Sequence, residues 1–159
     1  MKGSTDHRGT DEEPGRVVTL LSTSEHATFA HVDPHGRDNR CYGAVYRIPA
    51  EIADSVKAHL DHREKDGYTT FTTRVVLVSG DVIEGVTVYT ASMSNKRFVG
   101  PVSIDQMCKE IATRRGPSGW NHEYLVKLWE ALRDLDEEDE HVNDLYLGVC
   151  RYLSNEAEK

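Results

Sequence analysis

The apolar positions follow one pattern in the first half of the chain and another in the second. Early on they come in runs rich in β-branched and aromatic residues. Arg16-Val17-Val18-Thr19-Leu20-Leu21 and Cys41-Tyr42-Gly43-Ala44-Val45-Tyr46-Arg47-Ile48 read as strands. Thr69 to Val78 and Val82 to Ala91 predict a hairpin turning at Ser79-Gly80-Asp81. His31 to Arg40, with Pro34 and Gly36, reads as a turn or loop. One helix interrupts this half. After Pro49, the stretch Ala50 to Glu64 carries Ile52, Val56 and Leu60 at a spacing of four, and Glu64 is the next member of that stripe.

The second half has helical spacing throughout. Ser103 is a good N-cap, and Gln106 three residues on predicts a capping box. Ile104, Met107, Cys108, Ile111 and Ala112 then share a face, and Gly116-Pro117 ends the helix. Leu125, Leu128, Trp129 and Leu132 mark a second helix, and Val142, Leu145, Val149 and Leu153 a third. Asp134 to Glu140 is an acidic link between them. Strands first and helices later predict an α+β class, with one domain over residues 1–154 and a frayed end at 155–159. No internal repeat is present.

A chain of 159 residues suits one domain with one core, and 38% hydrophobic with 29% charged residues suits a globular one. The net charge of -8 repels phosphate backbones, which argues against nucleic acid as a partner. The Arg114-Arg115 pair reads as a helix-end dipole match before it reads as a phosphate site. No apolar run is long enough to span a membrane, and Met1 to Asp6 contains no apolar leader, so the expected location is the cytosol. Cys41, Cys108 and Cys150 have no metal-ligand spacing and read as free thiols, with a catalytic Cys-His pair as the alternative. His59 with His62, and His31 with His35, are spaced for a shared metal, but no third ligand is evident, so no metal is expected.

Glu64 is the sharpest candidate for chemistry. A carboxyl among apolar groups has its ionised form disfavoured, and its pKa rises to where it can act as base and then acid near neutral pH. The structural alternative is a helix-end carboxylate paired with an arginine. Tyr124 reads as a core aromatic with a bonded hydroxyl or as a pocket wall, and Asn121 as an N-cap or a pocket contact. Ser4-Thr5-Asp6-His7-Arg8 is polar without apolar periodicity. It reads as a flexible end.

Several blocks along the chain together carry a resemblance. They are Gly3-Ser4-Thr5-Asp6-His7-Arg8-Gly9, Pro14-Gly15-Arg16-Val17-Val18-Thr19-Leu20 and Tyr42-Gly43-Ala44-Val45-Tyr46-Arg47. Leu60-Asp61-His62-Arg63-Glu64-Lys65-Asp66-Gly67-Tyr68, Gly100-Pro101, Ile111-Ala112 and Gly116-Pro117-Ser118-Gly119-Trp120-Asn121-His122-Glu123-Tyr124-Leu125 follow. In this order and spacing the sequence resembles the glutathione-specific branch of the ChaC-type γ-glutamylcyclotransferases. The resemblance implies a mixed, barrel-like sheet with helices packed outside. It implies glutathione as substrate, 5-oxoproline and cysteinylglycine as products, and no cofactor. It gives Glu64 the role of general base and acid, and favours Ser4, Arg8, Asn121 and Tyr124 as substrate contacts.

One family feature has no counterpart in the sequence. The family's Tyr-Gly-Ser-Leu loop follows a first strand, and its backbone amides grip the γ-glutamyl group. Tyr42-Gly43-Ala44 looks similar, but it lies in the later predicted strand and no Ser-Leu follows. The expectation is a shortened chain with an unpaired sheet edge. A catalytically silent binding or regulatory form is then the alternative to an active enzyme. The sequence does not specify an oligomeric state.

Overall fold

The computed structural model describes residues 2–5, 7–32, 35, 40–63, 68–91 and 93–158. Its core is helical. Helix α3 (Ile104–Thr113), helix α4 (Asn121–Asp134) and helix α5 (Glu140–Ala157) pack together and bury Met107, Cys108, Ile111, Ala112, Leu125, Val142, Leu145 and Val149. These are the faces predicted from the helical spacing, because residues three and four apart share a side. Burying a side chain of Ile or Leu size contributes roughly 1.5–3 kcal/mol, so this cluster dominates the stability.

Helix ends are set by local chemistry. Ser103 Oγ accepts the Gln106 N–H at 3.3 Å. The predicted capping box closes only on that side. The Gln106 amide turns instead to the Glu110 carboxylate at 2.8 Å, since an ionised acceptor is the stronger one. Asp139, in the acidic link, caps α5 by accepting the Val142 N–H at 2.9 Å. Trp129 stacks on Tyr146 at 4.1 Å and joins α4 to α5. Helix α5 continues through Ala157, so residues 155–157 are helical.

Among the described residues the strands form three two-stranded sheets, all antiparallel. Strand β1 (Lys2–Ser4) pairs with β2 (Gly15–Val17), β3 (Thr69–Val76) with β4 (Val82–Thr90), and β5 (Arg115–Gly116) with β6 (Gly119–Trp120). The predicted hairpin is β3–β4, with Ser79-Gly80-Asp81 in its turn. Among the described residues no sheet closes into a barrel. The class is α+β.

Two predicted strands require correction. Cys41 to Ile48 joins no ladder, and Tyr46 and Ile48 are exposed. Strand propensity needs a pleated neighbour to pack on, and this segment has none among the described residues. The strand predicted over 16–21 stops at Val17. Beyond it the Val18 N–H goes to the Tyr124 hydroxyl, and Leu20 O accepts from Thr90 Oγ1, so side chains replace a ladder.

Helix α1 (Thr23–Ala27) is a short surface turn capped reciprocally by Ser22 and Glu25. A single 3₁₀ turn, Ala50–Ile52, leads into helix α2 (Ala53–Arg63). The predicted stripe lies outside the core: Ile52 is 50% exposed, and Val56 and Leu60 are half-buried. The C-terminal part of α2 meets the hairpin through Asp61, which accepts the Tyr89 hydroxyl at 2.7 Å. Glu64 lies outside the described residues. No described helix is long and apolar enough to cross a membrane.

Candidate functional site

Four of the five candidate residues converge around β2. Ser4 is opposite Gly15 in the β1–β2 ladder, and its Oγ accepts the Arg8 N–H at 3.0 Å. This bond folds the polar run into a compact turn. Arg8 then crosses to the start of α4, where Nη1 donates to the Trp120 carbonyl at 2.9 Å and to Glu123 Oε2 at 3.0 Å. The same Glu123 oxygen accepts the Trp120 N–H at 3.1 Å, so one carboxylate caps the helix and holds the arginine. Gly119 makes this approach possible. Its φ is 109°, and a Cβ there would lie 3.0 Å from Arg8 Nη1 and collide with Glu123 Oε2.

Asn121 and Tyr124, one helical turn apart, lie along the free edge of β2. Asn121 is fully buried. Its Oδ1 accepts the Arg16 N–H at 2.6 Å and its Nδ2 donates to the Arg16 carbonyl at 2.8 Å. The Tyr124 hydroxyl accepts the Val18 N–H at 3.2 Å, two residues further along. An amide and a phenol thus do for β2 what a third strand would do. The ladder confirms the register. Gly3 and Arg16 are the non-hydrogen-bonded pair, and the Gly3 N–H goes outward to the Arg97 carbonyl at 2.7 Å. Burial pushes the Tyr124 phenol up, opposed by the Val18 N–H and the Arg8 charge.

An ion network underlies the site, and the sequence reading missed it. Arg16, 3% exposed, donates through Nε to Glu110 Oε2 and through Nη1 to the Gly100 carbonyl at 2.9 Å. Arg114 Nη1 donates to the same Glu110 oxygen at 2.9 Å and to the Pro14 carbonyl. Burial opposes charge on Glu110. Hydrogen bonds from Arg16 and Gln106, with the charges of Arg16 and Arg114, outweigh it and hold the carboxyl below its ordinary range. Two signals could have revealed the network: a lone arginine heading an apolar strand, and Gln106, Glu110 and Arg114 at successive spacings of four.

The remaining candidates lie elsewhere. His35 contacts Asp144 at 3.0 Å, and His31, His59 and His62 are exposed. Among the described residues no three His, Cys, Asp or Glu side chains gather as a ligand set. Burial raises the pKa of Cys108, which disfavours the reactive thiolate.

The architecture is that of an α+β protein with a helical core, whose polar N-terminal turn is clasped by the start of a core helix. A protein-family model described as "ChaC-like protein" matches residues 1–152, and the chain belongs to that family. It is similar to a glutathione-specific γ-glutamylcyclotransferase of Schizosaccharomyces pombe, at 40% identity over 94% of this chain and 76% of that protein. γ-Glutamylcyclotransferase 2-3 of Arabidopsis thaliana is 39% identical over 99% of this chain and 76% of its own. The crystal structure of a yeast γ-glutamylcyclotransferase specific to glutathione matches with a TM-score of 0.79 and 32% identity. That match covers 95% of this chain and 82% of the yeast one.

Proposed function

We propose that this chain is a glutathione-specific γ-glutamylcyclotransferase, a lyase that releases 5-oxoproline and cysteinylglycine. The observation carrying the reading is the family match over residues 1–152, with relatives of that name at up to 40% identity. In the proposed reaction the α-amine of the γ-glutamyl group attacks its own γ-carbonyl carbon. A new C–N bond closes the five-membered ring, and the bond to the cysteinyl nitrogen breaks. Glu64 takes a proton from the amine and returns one to the departing nitrogen, so no water is consumed. Holding both groups in attack geometry can be worth about 7–11 kcal/mol, which leaves proton transfer as the side chain's task.

The polar turn supplies the binding side. Ser4 and Arg8 are proposed to meet the substrate's carboxylates, with Asn121 and Tyr124 forming the wall behind them. Arg8 bonds to the protein through Nη1, so the other edge of its fork is suited to a planar carboxylate. We also propose that the sheets join into the mixed, barrel-like arrangement with helices outside. Thr19 Oγ1 bonds both the N–H and the carbonyl of Ala91, at 3.0 and 3.1 Å, which already brings the chain beyond β2 to the end of β4. Nuclear Overhauser contacts between residues 18–20 and 89–91 test that joining. Three free cysteines suit a reducing compartment, and we assign the activity to the cytosol. Fractionation with a cytosolic marker checks the location.

Measured 5-oxoproline release from glutathione tests the reaction. Glu64→Gln is expected to lower turnover by about a hundredfold or more. Full turnover in that variant removes Glu64 from the mechanism. A folded chain with no turnover removes the activity and favours a binding form instead.

A further inference from the structure

We infer that Glu110 is a positioning residue for the substrate-binding turn, acting through Arg16 and Arg114 on Ser4 and Arg8. The inference rests on the assignment of Ser4 and Arg8 to substrate binding. Glu110 itself lies in the last turn of α3, behind the turn that carries them. Its two oxygens take three donors: Arg16 Nε, Arg114 Nη1 and Gln106 Nε2. The two arginines also donate to backbone carbonyls at Pro14 and Gly100. Glu110 therefore fixes the residues on either side of Gly15, and Gly15 sets the turn. Gly15 is the ladder partner of Ser4, and a Cβ on Gly15 would collide with the Arg8 carbonyl. The contact is backbone on backbone and leaves no slack, so a shift at 14–16 is passed on to residue 8. Ser4 Oγ in turn holds the Arg8 N–H. The guanidinium of Arg8 is thereby placed by a carboxylate that it does not touch.

A residue of this kind should affect how well substrate is held more than how fast it reacts once held. The experiment compares steady-state 5-oxoproline release from glutathione, thermal unfolding and amide exchange in the unsubstituted chain, Glu110→Gln, Glu110→Asp and Val149→Ala. Val149→Ala weakens the helical core away from the turn and serves as the stability control. Glu110→Gln is expected to raise KM about tenfold while kcat stays within about threefold, the signature of lost binding rather than lost chemistry. Glu110→Asp, which keeps the charge, should fall between it and the unsubstituted chain. Amides of residues 4–15 should exchange faster in Glu110→Gln and not in Val149→Ala. A KM within about twofold of the unsubstituted value, or an equal rise in Val149→Ala, overturns the inference. If Glu110→Gln fails to fold, Arg114→Met, which removes the guanidinium donor to Pro14 at a partly exposed position, is read by the same criteria. If the unsubstituted chain neither turns over nor binds glutathione, the functional reading has failed. The exchange comparison then decides the positioning role alone, and unchanged exchange at residues 4–15 overturns it.

Discussion

Asn121 pairs with both polar groups of one residue's backbone, and these two bonds are not equivalent to a pair of ordinary surface bonds. Arg16 N–H and C=O are buried where water cannot replace the amide. Leaving a buried donor or acceptor unpaired costs about 1–3 kcal/mol each, so Asn121→Ala is expected to lose about 2–6 kcal/mol of unfolding free energy. Tyr124→Phe removes one acceptor from Val18, which is 39% exposed, and solvent can take over; the expected loss is below about 1 kcal/mol. Urea unfolding of the two variants should show this ordering, and equal losses would disprove the strand-substitute role of Asn121. Glu110 adds a pH dependence. Its pKa is depressed in the folded state below its ordinary 4.5. Its contribution is therefore present above that value and is lost as pH falls through the folded pKa. Acid titration of stability should fall less steeply below about pH 4.5 in Glu110→Gln than in the unsubstituted chain.

Helices α3, α4 and α5 were legible in the sequence because each buries one face against the others, and a buried face leaves its period in the residues. The β3–β4 hairpin was legible from its turn residues and β-branched runs. The segment over 41–48 has the same kind of composition and no strand, because composition reports what a residue tolerates and not what lies beside it. Helix α2 shows the converse: it forms, but its Ile52-Val56-Leu60 stripe does not enter the core. The candidate site was half legible. Ser4, Arg8, Asn121 and Tyr124 were named one at a time as candidates, but their convergence on β2 depends on side chains pairing with backbone, which leaves no period. The difference between the two classes of helix is measurable. Ile111→Ala in α3 should cost about 2–5 kcal/mol, as cavities in packed cores do. Ile52→Ala should stay within about 0.5 kcal/mol, since the side chain is half exposed already. A large loss for Ile52→Ala would mean that α2 is held in a core of its own.

The molecule as a whole is unevenly finished. Its helical half has a buried core, whereas the β3–β4 hairpin shows apolar side chains to solvent at Phe71, Val76, Val78 and Val82. Among the described residues each of these strands pairs only with the other, so each keeps an open edge. Open apolar edges invite pairing with another chain. What opposes it is the net charge of -8, which makes copies repel one another. Salt screens that repulsion over a Debye length of about 10 Å at 0.1 M and leaves the apolar attraction intact. Light scattering at fixed protein concentration should therefore rise with added sodium chloride. Replacing Val82, the ladder partner of Val76, separates the two forces. Val82→Glu makes the net charge more negative and Val82→Lys less so. If the exposed edge drives association, both lower the scattering at high salt, despite their opposite effect on net charge. If only Val82→Glu lowers it, repulsion alone governs the behaviour and the hairpin edge is not where the copies meet.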